Sequence, residues 1–301
     1  MSHALSPPNK AFSGNLYGVA SMIVWAAGFP AAEELLDTWD PLALVAARFC
    51  IALSVLLPLW IVLDGPRAVI SARWRWGLLS GAIAFGGAAW LMLLAQSLTD
   101  PVTVAIIAAA TPIAGTLIEW VSERRALKWA FVIGLAASVI GGIVATGGSV
   151  PVAGGLSDLW LGVFCAVGSC FLFSWGSFTA SRDFGDQSPI GRTTITLCGG
   201  LVFTVGTFIL ARALGLAEGP EQIFDARNLG LLAIYGIGGM AISQFLWIAS
   251  VDRLGIALAS FHTNVAPFYV MLILVAIGGA WSWPQAIGAA IVALGVVVAQ
   301  R

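Results

Sequence analysis

Ten stretches of about twenty mostly apolar residues run through this 301-residue chain, and a helix of that length crosses the roughly 30 Å hydrocarbon core of a bilayer. They cover residues 13–32, 41–63, 76–98, 101–120 and 129–147, then 158–180, 189–212, 229–250, 255–277 and 282–300. Apolar alternation at period two is absent, and lipid tolerates no open strand edge, so these stretches are predicted to be helices. Composition agrees: 59% of residues are hydrophobic and 10% are charged, against about 25% charged in soluble domains. The fold class expected is an all-α integral membrane protein whose main partner is the lipid bilayer.

Basic residues near span ends are retained on the cytoplasmic side. With the N-terminus inside, Lys10, Arg67, Arg73, Arg75, Arg124, Arg125, Lys128, Arg182, Arg192, Arg253 and Arg301 all fall on that side, eleven of the fourteen. Arg212 and Arg227 fall in one long external loop, and Glu33, Glu34, Asp37 and Asp40 make the first external loop acidic. Both termini are therefore expected in the cytoplasm. The polar residues 1–11 carry no convincing cleavage site, so the first span is expected to be its own insertion signal. A net charge of −1 argues against nucleic acid as a partner, because a phosphate backbone is held by excess Lys and Arg.

The chain repeats itself weakly. Arg48 corresponds to Arg192 and Pro112 to Pro267, with small and apolar neighbours. Each half holds five spans, and an odd number of crossings makes the second half enter from the opposite face. The expectation is ten transmembrane helices in two inverted five-helix repeats, residues 1–147 and 158–301, joined by an external Gly-rich linker at 148–157.

Several runs resemble the drug/metabolite transporter superfamily in its EamA-type branch: Trp25 to Pro30, Arg48 with Phe49, Ala95 to Pro112, Glu123 with Arg124, Gly134 to Gly142, and Pro284 to Gly295. Within that branch the chain is most similar to the aromatic amino acid exporters of the YddG group. The resemblance implies a bacterial inner-membrane carrier for amino acids and related metabolites. It departs from the pattern at Gly278, which stands where the second repeat would match Glu123.

A carrier needs polar groups along its path, and each one in hydrocarbon must face the path or a neighbour. The candidate pathway residues are Trp25, Trp90, Gln96, Thr103, Thr111, Trp175, Met240, Gln244, Trp247, His262 and Tyr269. The four tryptophans among them can stack on a ring or simply pack. His262 titrates near neutral pH and can equally bond neighbouring helices. Pro112 and Pro267 each remove a backbone donor inside a span and are expected to act as hinges or kinks. Trp39, Trp74, Trp76, Trp129, Trp281 and Trp283 sit at span ends, where anchoring is the simpler reading. Arg48 lies inside the second span, and is expected to reach outward to Asp37 or Asp40; contact with a substrate carboxylate is the alternative. The glycine pairs Gly14/Gly18 and Gly77/Gly81 read as close helix packing.

Cys50, Cys165, Cys170 and Cys198 have no metal-type spacing and read as reduced packing residues. No phosphate-cradling, zinc-protease or nucleophile-elbow motif occurs, and no carboxylate stands near the middle of a span. Neither a cofactor nor an enzymatic activity is expected. Secondary transport of a small molecule, by export or exchange, is the leading reading; a channel or a flippase for a lipid-linked solute shares the architecture.

Overall fold

The computed structural model describes residues 8–109, 111–123, 129–145, 155–220, 225–254 and 259–299, and among them it holds helices and no strand. Arg124, Arg125, Lys128 and Arg301, together with residues 148–154 of the expected linker, lie outside the described residues. The first four long helices are α1 (Pro8–Leu36), α2 (Pro41–Asp64), α3 (Trp74–Leu98) and α4, which comes in two pieces, Pro101–Ala108 and Thr111–Glu123; a short helical turn, Pro66–Ile70, joins α2 to α3. Next come α5 (Trp129–Ala145), α6 (Leu156–Asp183), α7 (Pro189–Ala213) and α8 (Ala226–Leu254). Then α9 enters through a 3-10 turn, Phe261–Val265, and continues as Ala266–Ala276, and α10 is Trp283–Ala299. Seven of these, α1 to α4 and α6 to α8, are long and apolar enough to cross a membrane. The other three are apolar but shorter; α5 and α10 have 17 residues each, about 25 Å of helix.

Local sequence sets the starts. Asp40 precedes Pro41 and accepts from the backbone N–H of Leu42, while Asp100 precedes Pro101 and accepts from Val102 and Thr103. Ser188 precedes Pro189 and accepts from Gly191. In each case an oxygen satisfies an orphan N–H, and proline at the first helical position has none to lose. Asp100 also takes a hydrogen bond from Gln285 at 3.0 Å, which ties α10 to the cap of α4. The acidic loop is shorter than its sequence suggests: α1 runs on to Leu36, so Glu33 and Glu34 lie on its last turns.

Four irregularities interrupt the bundle. A π-helical segment, Ala82–Gly86, lies inside α3 and another, Ala233–Ile242, inside α8. The two pieces of α4 part just before Pro112, and α9 changes from 3-10 to α just before Pro267. Pro112 has no N–H for the carbonyl of Ala108, and the Thr111 hydroxyl donates to that carbonyl instead.

Packing follows a matched scheme. Helix α1 lies along α8 and α9, α6 lies along α3 and α4, α2 pairs with α7, and α5 pairs with α10. Glycine makes the tightest crossings possible: a Cβ on Gly81 would fall 1.9 Å from the carbonyl oxygen of Thr196, and one on Gly141 2.7 Å from that of Gly288. The apolar core between α2 and α7 is built on Phe49, Trp60, Leu44 and Ile195. Outer faces stay apolar, with Phe164 71% and Val202 62% exposed, as lipid-facing surfaces require. Trp129 and Trp283 are exposed at helix ends, whereas Trp39, read from sequence as an anchor, is buried in the core. It lies in the short turn between α1 and α2 and belongs to the same buried cluster as Leu44 and Phe49.

Candidate functional site

The four irregular segments surround one cavity of about 90 Å³, room for several waters when one needs roughly 10–15 Å³. Eight helices line it; α5 and α10 contribute no lining residue. Its apolar wall comes from Met22, Trp25, Phe85, Met92, Phe173 and Leu197. Phe173 leans on Trp247 at a ring separation of 6.0 Å, and Trp25 meets Phe29 edge to face at 4.9 Å.

The polar wall is organised by main-chain carbonyls. Ser21 donates to the carbonyl of Ser243 (2.8 Å), Ser243 to that of Gly239 (2.8 Å), and Ser169 to that of Ala88 (2.8 Å). Each hydroxyl proton is used, so what these groups offer the cavity is oxygen lone pairs. The indole N–H of Trp247 is buried without a hydrogen-bond partner among the described residues.

Arg48 forms the charged corner of the cavity and does not reach toward Asp37 or Asp40. It is 7% exposed and donates through Nε to the carbonyl of Tyr235 (3.2 Å) and through Nη2 to that of Gly239 (2.7 Å). Its guanidinium lies over the Tyr235 ring, an arrangement that favours a desolvated cation. Both acceptors lie in the π segment of α8, and the glycines give access: a Cβ on Gly239 would lie 3.5 Å from Nη2 and one on Gly28 4.0 Å.

Of the residues singled out from sequence, Trp25, Thr111, Met240, Gln244 and Trp247 line this cavity. Gln96 lines a smaller neighbouring cavity that shares Trp25, Met92 and Arg48 with it. There it donates to the carbonyl of Phe29 (2.8 Å) and to the Glu33 carboxylate (3.3 Å). Trp90 and Trp175 pack against the α2/α7 core instead. Thr103 is buried with its hydroxyl unpartnered, and Tyr269 packs beside the cluster of Met22 and Trp247. The ring of His262 sits over Gly18, with Nδ1 3.0 Å from the carbonyl oxygen of Ala259. Pro112 and Pro267 stand at the two breaks, Pro112 directly after the lining residue Thr111 and Pro267 four residues after the lining residue Thr263.

Ser21, Ser169, Ser243, Phe85, Met92 and Phe173 were not singled out from sequence. A signal for two of them exists: Ser21 precedes Trp25, and Ser243 precedes Trp247, by four residues, the spacing that puts both side chains on one helix face. Among the described residues no cluster of His, Cys, Asp or Glu could hold a metal ion.

Apolar helices wrapped around one largely apolar cavity with a few polar groups, their irregular turns at its walls, are the architecture of a multi-pass membrane protein. The chain belongs to the EamA-like transporter family, whose model matches residues 12–147 and again 160–300. It is 24% identical over 288 residues to the uncharacterized transporter YyaM of Bacillus subtilis (strain 168), covering 92% of this chain and 90% of that one. It is 23% identical over 295 residues to the uncharacterized transporter YrdR of the same organism, covering 95% and 91%. A crystal structure at 20% identity matches over 96% of each chain with a TM-score of 0.71, a likeness of fold.

Proposed function

We propose that this protein is a secondary transporter that moves small amphipathic metabolites, aromatic and other amino acids foremost, across the bacterial inner membrane by alternating access. The observation that carries the reading is the cavity at the meeting point of two π segments and two helix breaks, lined by aromatic and thioether side chains together with Arg48 and Gln244. A largely apolar wall with few polar groups suits a solute that is part ring and part charge. The YddG-type assignment rests on the family resemblance together with this lining.

The carrier is proposed to span the membrane ten times as two inverted five-helix repeats, with both termini in the cytoplasm. The recurrence of a π segment in α3 and α8, and of a pre-proline break in α4 and α9, supports that plan. So does the exchange of partners, in which α1 packs on α8 and α9 as α6 packs on α3 and α4. Pro112 and Pro267 then serve as matched hinges, because a missing N–H weakens the helix one turn earlier.

Purified protein in liposomes, offered labelled Phe, Tyr, Trp and Met, tests the function. Saturable uptake that accelerates when unlabelled solute is loaded on the far side is the expected result. Indifference to every amino acid removes the substrate assignment, and an unsaturable current steered by voltage marks a pore. Single cysteines placed near each end and labelled from one side test the plan; ends on opposite faces would break it.

A further inference from the structure

We propose that the cavity is a carboxylate site that excludes cations, with Arg48 and the indole N–H of Trp247 as the groups that hold the anion. The inference deepens the transport reading and rests on it for taking the cavity as a substrate site.

Charge within the cavity is the first ground. Its lining holds one arginine and no Asp, Glu, Lys or His. Among the described residues no carboxylate lies within ion-pair distance of Arg48. Its contacts are carbonyl dipoles and a ring face, which orient the guanidinium and leave its charge uncompensated. A buried cation in that state is stabilised strongly by an incoming anion. A second cation would meet repulsion less screened than in bulk water.

Donor accounting points the same way. Of the five N–H groups on a guanidinium, Nε and one on Nη2 are committed to Tyr235 and Gly239, which leaves three to donate. Trp247 is 2% exposed, lines the same cavity, and its N–H has no partner among the described residues. A buried donor of this kind is costly unless something accepts from it. An indole N–H can only donate, so the complementary group is an acceptor, and a carboxylate is one that answers Arg48 as well.

The hydroxyls of Ser21, Ser169 and Ser243 have given their protons to carbonyls and can accept from an ammonium. An α-amino acid therefore fits as a zwitterion, but its amino group is dispensable and its carboxylate is not. The substrate class is monocarboxylates with an apolar body, zwitterionic amino acids included; simple amines and basic amino acids are excluded.

The test measures binding, separately from transport. Purified full-length protein in detergent is titrated with three ring compounds of similar size: 3-phenylpropionate, phenethylamine and 3-phenylpropanol. The carboxylate is expected to bind at least about tenfold more tightly than either of the others, as a charge-assisted pair allows. Arg48→Gln should remove that preference. Trp247→Phe keeps a ring and deletes the donor, and should weaken the carboxylate about threefold to tenfold, a larger loss than the alcohol suffers, because the lost bond is charge-assisted only for the carboxylate; it serves where Arg48→Gln fails to fold. Equal or tighter binding of phenethylamine, no binding of the carboxylate, or carboxylate binding indifferent to Trp247→Phe and to any folded Arg48 variant would overturn the proposal. Carboxylate binding that depends on Arg48 while liposomes move no amino acid removes the amino acid assignment and leaves the site standing. Amino acid transport with binding blind to the carboxylate does the reverse.

Discussion

The guanidinium of Arg48 lies 4.1 Å from the centre of the Tyr235 ring, and its Nε donates to the carbonyl of that same residue. One residue of α8 thus fixes both the plane and the depth of a cation carried by α2. Because Gly239, the second acceptor, is four residues further along, the arginine spans about one turn of the π segment.

Removing the ring should loosen that grip. Tyr235→Phe keeps a π face and is expected to stay close to wild type. Tyr235→Ala should lower stability by about 3 kcal/mol or more, the cost of a large buried side chain plus a cation–π contact, and should depress uptake with it. Thermal unfolding in detergent, run beside liposome uptake, checks both.

Thr111 and Pro112 form a pair whose coupling can be measured. Thr111→Val strands the Ala108 carbonyl that the proline leaves without a donor, at about 1–3 kcal/mol. Adding Pro112→Ala restores a backbone N–H and should recover most of that loss. The same double variant should transport more slowly, because a continuous helix bends less readily at the cavity wall. A double-mutant cycle on unfolding midpoints tests the coupling, and additivity would deny it.

The crossing of α3 and α7 should not tolerate a methyl group. Gly81→Ala drives a Cβ into the backbone of Thr196, which no rotamer change relieves, so the penalty should meet or exceed the roughly 1–3 kcal/mol of ordinary overpacking. Gly206→Ala on α7 meets nothing within 4 Å and is expected to be neutral or mildly stabilising. Folded yield by size-exclusion profile, with melting of whatever folds, separates the two.

Two ion pairs at different depths should differ in worth. Arg192 and Asp252 meet at 2.7 Å with side chains 11% and 24% exposed. Asp252→Asn should cost about 1–2 kcal/mol, between the ranges for surface and buried pairs. Arg227 and Glu34 meet at 2.6 Å, but the arginine is 75% exposed. Arg227→Ala should cost well under about 1 kcal/mol and lose even that in high salt. Melting at low and high ionic strength distinguishes them.

Apolar run length told where helices lie, because a chain in lipid must keep every backbone bond within its own segment. It said little about the inside of each run. The π segments of α3 and α8 leave no compositional mark, since glycine and aliphatic residues read the same in either winding. Depth is likewise legible and rotation is not: the run from Pro41 to Asp64 puts Arg48 within a span, but only the carbonyls of Tyr235 and Gly239 decide that it points inward. Trp90 and Trp175 have the same composition-level merit as Trp25 and Trp247, and differ in which helix face they occupy. The serines beside the cavity went unread because a hydroxyl in a membrane helix usually bonds its own preceding turn, as Thr204 does. Ser21 and Ser169 bond across to other helices.

Helices α5 and α10 hold each other through the contact at Gly141 and Gly288 and stand clear of the cavity. On the proposed reading, the residues that meet the cargo and the pair that braces them lie in separate parts of the chain. Substitutions within the bracing pair can then suit a thicker bilayer without touching a single side chain of the cavity wall.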